Sequence, residues 1–431
     1  MNKKLMAVAV AGALAAPGLA VAQVGGSPGV TLYGRLDTTI MNNTYTAVGT
    51  TTEVKKGDIF SAGNEMGVRG REDLGGGTAM WFQLATGVWP DGRLENAGTN
   101  GGHFGGRNSA LGISSTWGDI LYGIWDSPYK VAYGTGNVIS SGPFSSSGII
   151  MGNGDTTGAL PNAQCAGALS GTTGSINTTA NNVCVSEVTG GTTQWSRRNN
   201  NTVQYWSPVV SGLQFRLATA VANYQSPGSD PTASGLQKPK YLSGSVTWAR
   251  GPLALALGYE THEGFRPGAA SGNPNPKDTG LQLGVKWSFG PGQIGVGYES
   301  LDYGANNAAG SNGMKAIAMV VNGRWNLGPG ALWAGLSKTD GGEDCTAGVT
   351  ANIGSVACGS AGEAKMTTIG YDYVMSKRTK MYFAYNKIDN GTGTNYYYIA
   401  GPAGNANNGT TGGVAAGTDV TTLALGIQHT F

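Results

Sequence analysis

From Gly29 to the carboxyl terminus, apolar and aromatic side chains recur at every second position in segments of roughly ten residues, each closed by turn-forming residues. A period of two requires extended chain, because successive side chains of a strand point to opposite faces. Leu253, Leu255, Leu257 and Tyr259 form one such series, and Leu281, Leu283, Val285, Trp287 and Phe289 form another. A third, Leu423, Leu425 and Ile427, leads into Phe431. Alternation alone suits a water-soluble sandwich with one face on a core equally well, so further features must decide.

The positions between the apolar ones are mostly Gly, Ala, Ser, Thr, Gln and charged residues, and several series end in aromatics such as Tyr259, Trp287, Phe289, Trp325 and Tyr373. That is the pattern of a lipid-facing band bounded by aromatic girdles around a polar interior. Connections also alternate in length. Tight turns are expected at Asp73-Gly77, Trp117-Asp119, Pro208-Gly212, Arg250-Pro252, Gly290-Gly292, Gly328-Gly330 and Ser376-Arg378. Long polar loops are expected at 43-56, 90-103, 127-196, 225-238, 265-276, 304-312, 340-362 and 390-417. Seven turns and eight loops join sixteen strands, an even number that closes an antiparallel up-and-down barrel without a free edge, as lipid requires. The fold expected is therefore all-β, a transmembrane 16-stranded antiparallel β-barrel with a long third loop. A barrel of about eight strands is filled by its own side chains, whereas sixteen leave an aqueous channel.

The amino-terminal segment carries Lys3 and Lys4, an apolar run from Leu5 to Ala16, a Pro17-Gly18 break and small residues at Ala20-Val21-Ala22. These are the parts of a secretory signal peptide over 1-22, leaving 23-431 as the barrel. The run is too short for a membrane span, which needs ~20 apolar residues, and no later stretch approaches that length. Without the two leader lysines the 27 basic residues become 25, equal to the 25 acidic ones, so nothing in the bulk charge recruits nucleic acid. The four cysteines form two local pairs, Cys165 with Cys184 and Cys345 with Cys358, expected as loop-stapling disulfides in an exported chain.

Chemistry is sparse. His103, His262 and His429 are the only histidines, and there is no phosphate loop or CxxC spacing. Neither catalysis nor a cofactor is expected.

Several segments together resemble the Gram-negative general diffusion porins of the β-proteobacterial type: VTLYGRLD at 30-37, MGVRGREDLGGG at 66-77, NNTVQYWSP at 200-208, and a last strand LALGIQHTF ending in Phe431. The resemblance spans the mature chain strand by strand, and the loops diverge. It implies a bacterial outer-membrane homotrimer surrounded by outer-membrane lipid and lipopolysaccharide. It also implies that Phe431 ends a signal for the barrel assembly machinery, and that the third loop folds into the lumen opposite a basic wall. Arg35, Arg69 and Arg198 stand where that family places pore-wall bases. Alternation independently puts Arg35 and Asp37 inward if Val30, Leu32 and Leu36 face lipid, and Glu65 and Arg69 inward if Met66 and Val68 do. The same parity turns Arg216, Lys286 and Arg324 inward. Two departures stand out. Glu65 replaces an arginine common in the family and Ile124 lies near another such position, while the third loop carries only Asp155 and Glu187 as acids between Ser127 and Ser196.

The function expected is passive diffusion of ions and small hydrophilic solutes through a water-filled channel. Lumen bases set against Asp37, Glu65, Glu260, Glu299 and Asp372 predict weak ionic preference. Two rivals remain open: a solute-specific channel using lumen aromatics such as Tyr33 and Trp333, and a surface adhesion or scaffold barrel with an occluded lumen.

Overall fold

In the computed structural model the described residues are 29–47, 49–61, 63–88, 90, 105–142, 144, 151, 195, 198–220, 240–263, 277–304, 314–343, 359–394, 396 and 416–431. The leader, His103 and all four cysteines lie outside them. The first strands are β1 (Gly29–Thr46), β2 (Glu53–Ser61), β3 (Glu65–Gly75), β4 (Thr78–Gly87), β5 (Ser109–Ser115) and β6 (Gly118–Asp126). A short helix, α1 (Pro128–Thr135), follows inside the third loop. The wall then continues through β7 (Arg198–Trp206), β8 (Leu213–Ala220), β9 (Lys240–Arg250), β10 (Leu253–Glu263), β11 (Lys277–Phe289) and β12 (Gly292–Tyr303). It ends with β13 (Met314–Leu327), β14 (Gly330–Thr339), β15 (Ala364–Val374), β16 (Thr379–Asn390) and β17 (Asp419–Thr430).

All neighbours pair antiparallel, and β17 returns to β1 from Arg35↔Thr430 to Thr46↔Asp419, closing the ring. β2 and β3 both pair with β1 and together make one stave, so the barrel has sixteen staves. The break in that stave, at 62–64, leaves Leu36 and Asp37 of β1 off the ladder. Side chains repair it: the Asn64 Oδ1 accepts the Asp37 N–H at 2.5 Å, and Arg35 Nη2 donates to the Gly63 carbonyl at 2.7 Å. Such interruptions re-aim nearby side chains, here toward the lumen polar cluster described below.

Alternation is carried through as the sequence demands. Val30, Leu32, Leu255, Leu257, Leu281, Leu283 and Leu425 are exposed on the outer face, while their sequence neighbours Ala254, Ala256, Gln282 and Ala424 are buried. Exposed Trp117, Trp287, Trp325 and Tyr373 lie close to the tight turns and form the girdle on that side. All seven predicted turns join the strands expected. Gly75, Gly76, Gly77, Gly212, Gly251, Gly290 and Gly328 hold positive φ in them, which explains much of their glycine content.

Candidate functional site

The third loop opens at Ser127, whose hydroxyl accepts the Lys130 N–H at 3.1 Å and caps α1, with Pro128 in the first turn. The chain then follows the inside of the wall as a strap. Tyr129 N donates to Ser243 Oγ on β9 at 3.0 Å, and its phenol donates to Glu299 Oε1 on β12 at 2.7 Å. Burial and that carboxylate raise the Tyr129 pKa well above the usual value, so it stays a donor. Further along, Asn322 on β13 grips the strap backbone twice, accepting from Val138 N at 2.6 Å and donating to the Gly136 carbonyl at 2.8 Å. Ser141 donates to Asp372 Oδ1 at 2.5 Å and accepts from Lys380 Nζ at 2.8 Å. Phe144 meets Tyr382 edge-on at 6.4 Å between centroids.

Small inward residues make room for this strap. A Cβ on Gly258 would lie 2.9 Å from the Ala132 Cβ, one on Gly284 2.8 Å from the Ala132 carbonyl oxygen, and one on Gly295 2.3 Å from the Gly136 carbonyl oxygen. The wall from β10 to β12 thus has a trough cut to the loop's shape. The returning limb docks nearby. Trp195 is fully buried, stacks on His262 at 4.0 Å and donates its indole N–H to Tyr303 at 3.1 Å. His262 in turn meets Glu260 at 2.7 Å. Both limbs of the loop are therefore seated on β9–β12.

The wall leading up to α1 and returning from the loop holds a charged cluster. Glu65 on β3 accepts from Arg107 Nε at 2.9 Å, and Arg35 sits across the register from Glu65. Asp126 at the end of β6 pairs with Arg198 at 3.3 Å and with Lys130 of α1 at 3.1 Å. Asn108 links the two halves, donating to Asp126 and accepting from Arg198 at 3.0 Å. Burial, with Arg198 alongside, lowers the Arg107 pKa to about 10, which leaves it charged at neutral pH. Arg69 lies over the Tyr33 ring at 5.0 Å.

Alternation turns Arg35, Asp37, Glu65, Arg69, Arg216, Lys286 and Arg324 to the inner face, and the resemblance adds Arg198, but the structure does not bring them together. Arg35, Glu65 and Arg198 join the cluster. Arg216 lies apart over Trp206 at 4.6 Å, hydrogen-bonded to Gln214. Arg324 is spent on Asp372 at 2.7 Å, and Asp37 is sealed under Tyr382 and Gln428. Trp333 is 1 % exposed and donates to Asp372, so it offers no track to a passing solute. Sequence reasoning missed Arg107, Lys130 and Lys380. The first two lie outside strands, where parity says nothing, although a lysine beside the Ser127-Pro128 helix start was available as a signal.

A family model described as Gram-negative porin matches residues 7–393. Outer membrane porin protein 32 of Delftia acidovorans is 25% identical over 299 residues, covering 68% of each chain. Major outer membrane protein P.IB of Neisseria gonorrhoeae is 34% identical over 131 residues, 29% of this chain and 35% of that one. Among solved structures, an anion-selective porin from Comamonas acidovorans superposes with a TM-score of 0.62 at 20% identity, covering 94% of this chain and 99% of the other. OmpT of Vibrio cholerae, in its trimer form, gives 0.57 at 14% identity over 94% and 100%.

Proposed function

Because the chain belongs to the Gram-negative porin family and forms a passive channel in the bacterial outer membrane, we propose that its lumen passes small hydrophilic solutes with a preference for anions. The preference rests on an asymmetry of exposure. Four of the lumen carboxylates, Asp37, Glu260, Glu299 and Asp372, are at most 1 % exposed, sealed beneath the strap or by basic and hydroxyl partners. In the cluster three bases, Arg107, Lys130 and Arg198, keep side-chain exposures of 20%, 27% and 27% against two acids, Glu65 at 34% and Asp126 at 22%. A solute therefore meets more positive than negative charge. The described stretch of the third loop contributes Lys130 and no acid, so loop and wall carry the same sign here and do not set up a field across the pore. The matched relatives are channels, and no residue is assigned a catalytic role.

Proteoliposome swelling tests this reading. Sugar acids should enter faster than neutral sugars of equal size, and amino sugars slower; equal rates, or the reverse order, would contradict it.

The proposed assembly is a homotrimer. Thr38, Asn42 and Gly57 interrupt the apolar outer face of β1 and β2, beside a hollow of about 540 Å³ lined by Thr38, Ile40, Gly57, Ile59 and Pro90. Polar outward groups of this kind are better satisfied against a second copy than against lipid. The proposal also includes the signal peptide 1-22, the disulfides Cys165 to Cys184 and Cys345 to Cys358, and an assembly role for Phe431. The Phe431 backbone pairs with Gly34 at 3.0 and 3.1 Å, and its ring covers Gly34 so closely that a Cβ there would lie 2.3 Å from it. Gly34→Leu should therefore reduce the folded barrel recovered from outer membranes severalfold, read by heat-modifiable gel migration. Normal recovery would remove the case for this seat.

A further inference from the structure

The pairing of β6 with β7 breaks step at one place. Gly123 faces Thr202 and Trp125 faces Asn199, so Ile124 alone stands against Asn200 and Asn201, a bulge of one extra residue on β7. Among the described residues, Asn201 and Ser211 are the only two non-glycine residues with positive φ, both at 51°. Ser211 sits in a turn, whereas Asn201 lies inside a strand. Asparagine tolerates that left-handed backbone, and a β-branched residue does not. Gly123 fixes the other strand: its φ is 155°, and a Cβ there would collide with the Ser109 carbonyl oxygen and lie 2.7 Å from the Ala110 Cα. The Asn201 side chain is exposed, and the Tyr122 hydroxyl donates to it over a long 3.4 Å. Its backbone, more than its amide, accounts for an asparagine at this position.

Two distances show where the bulge sends the chain. Gln204 stands opposite Leu121, five residues before Asp126, which in a straight strand would put the Asp126 carbonyl about 16 Å away. Gln204 Nε2 nonetheless donates to that carbonyl at 3.0 Å. Trp206 stands opposite Asp119, yet the Trp125 ring lies 5.5 Å from the Trp206 ring and 5.7 Å from that of Trp81. Beyond the bulge the ends of β6 and β7 therefore fold inward as a shelf over the lumen. One side of the shelf is packed, with Trp125 and Asn199 buried and Trp125 resting on the other two indoles. The other side carries Asp126 and Arg198, register partners that stay partly exposed, and Asp126 also holds Lys130. The extra residue makes this division. Buried positions on β7 run Trp206, Gln204, Thr202 up to the bulge and shift to Asn199 beyond it, which leaves Arg198 on the open side.

We propose that Asn201 and Gly123 are positioning residues for ion selection: their bulge turns the ends of β6 and β7 inward, and Trp125, propped on Trp81 and Trp206, holds Arg198, Asp126 and Lys130 beside the ion path. The inference rests on the reading that these lumen charges select ions, and not on the sign of the selection. If the shelf falls back toward the wall, the three charged groups withdraw together, which removes one net positive charge from the path.

The test compares N201G, N201V and W125A with the parent by reversal potential in a planar bilayer under a salt gradient, with folding checked by heat-modifiable gel migration. N201G should keep the parent's anion-to-cation ratio, because glycine takes the left-handed backbone freely. N201V and W125A should each lower the ratio about threefold at 0.1 M salt, as expected for one net charge withdrawn from about 5 to about 10 Å from the ion. A folded N201V or W125A with the parent's ratio, or an N201G shifted as far as N201V, would overturn the proposal. Should N201V not assemble, W125A decides it alone. A parent that reverses on the cation side would refute the anion preference, and the shifts of N201V and W125A from that parent would still decide the role of the shelf.

Discussion

Replacing Arg107 and Arg198 together with glutamine is expected to lower the anion-to-cation permeability ratio on the order of thirtyfold at 0.1 M salt, because each charge about 5 Å from a passing ion contributes about 0.8 kcal/mol in water before screening. Salt at 0.1 M, with a Debye length of about 10 Å, weakens this but does not abolish it at such short range. The loss acts with opposite sign on anions and cations, so the two contributions add in the ratio. It also leaves Glu65 and Asp126 without their nearest arginines, at 2.9 and 3.3 Å, which tilts the remaining cluster toward cations. Lys286→Gln, remote from this cluster, should move the ratio much less. Reversal potentials under a salt gradient report both variants. An R107Q/R198Q channel with the parent's ratio would mean that ions pass elsewhere in the lumen.

Filling the trough should have the second large effect. In Gly295→Val the new Cβ meets the Gly136 carbonyl oxygen at 2.3 Å and its carbon at 2.9 Å, a collision with backbone that only displacement of the strap relieves. Displacement also breaks the two hydrogen bonds to Asn322, each contributing about 1 kcal/mol net. The wall itself should tolerate valine, which favours extended chain more than glycine does. The expected result is a folded barrel of near-parental denaturation temperature whose open-channel current is larger and noisier. Parental conductance with quiet openings would show that the strap is not what narrows the lumen.

The barrel was legible because its signal repeats. A period of two, short turns rich in glycine and a closing even count are each local properties of the chain, and β10, β11 and β17 follow them residue by residue. The break between β2 and β3 was not legible, since Ala62 to Asn64 carry no feature that separates a pause in a stave from a turn. The lumen was half legible. Parity turned the right side chains inward, yet the expected near-cancellation of lumen charges assumed that inward means wet. Glu260 and Glu299 are inward and dry, because the strap covers them, and that cover depends on Gly258, Gly284 and Gly295 forming a trough far along the chain from Tyr129. Those glycines were visible on the inner positions of β10–β12. Which loop fills the space they leave is a tertiary matter that no local pattern states. Arg107 was missed for a related reason: it approaches Glu65 from the end of a loop, where alternation assigns no face.

Single-channel recording of the purified mature protein in a planar bilayer under a salt gradient decides whether this barrel holds an open, passive, anion-preferring pore. The account predicts ohmic steps that appear in groups of three, do not saturate with any single solute, and reverse at a potential on the anion side. A current that saturates with one solute, a reversal on the cation side, or no current at all would contradict it.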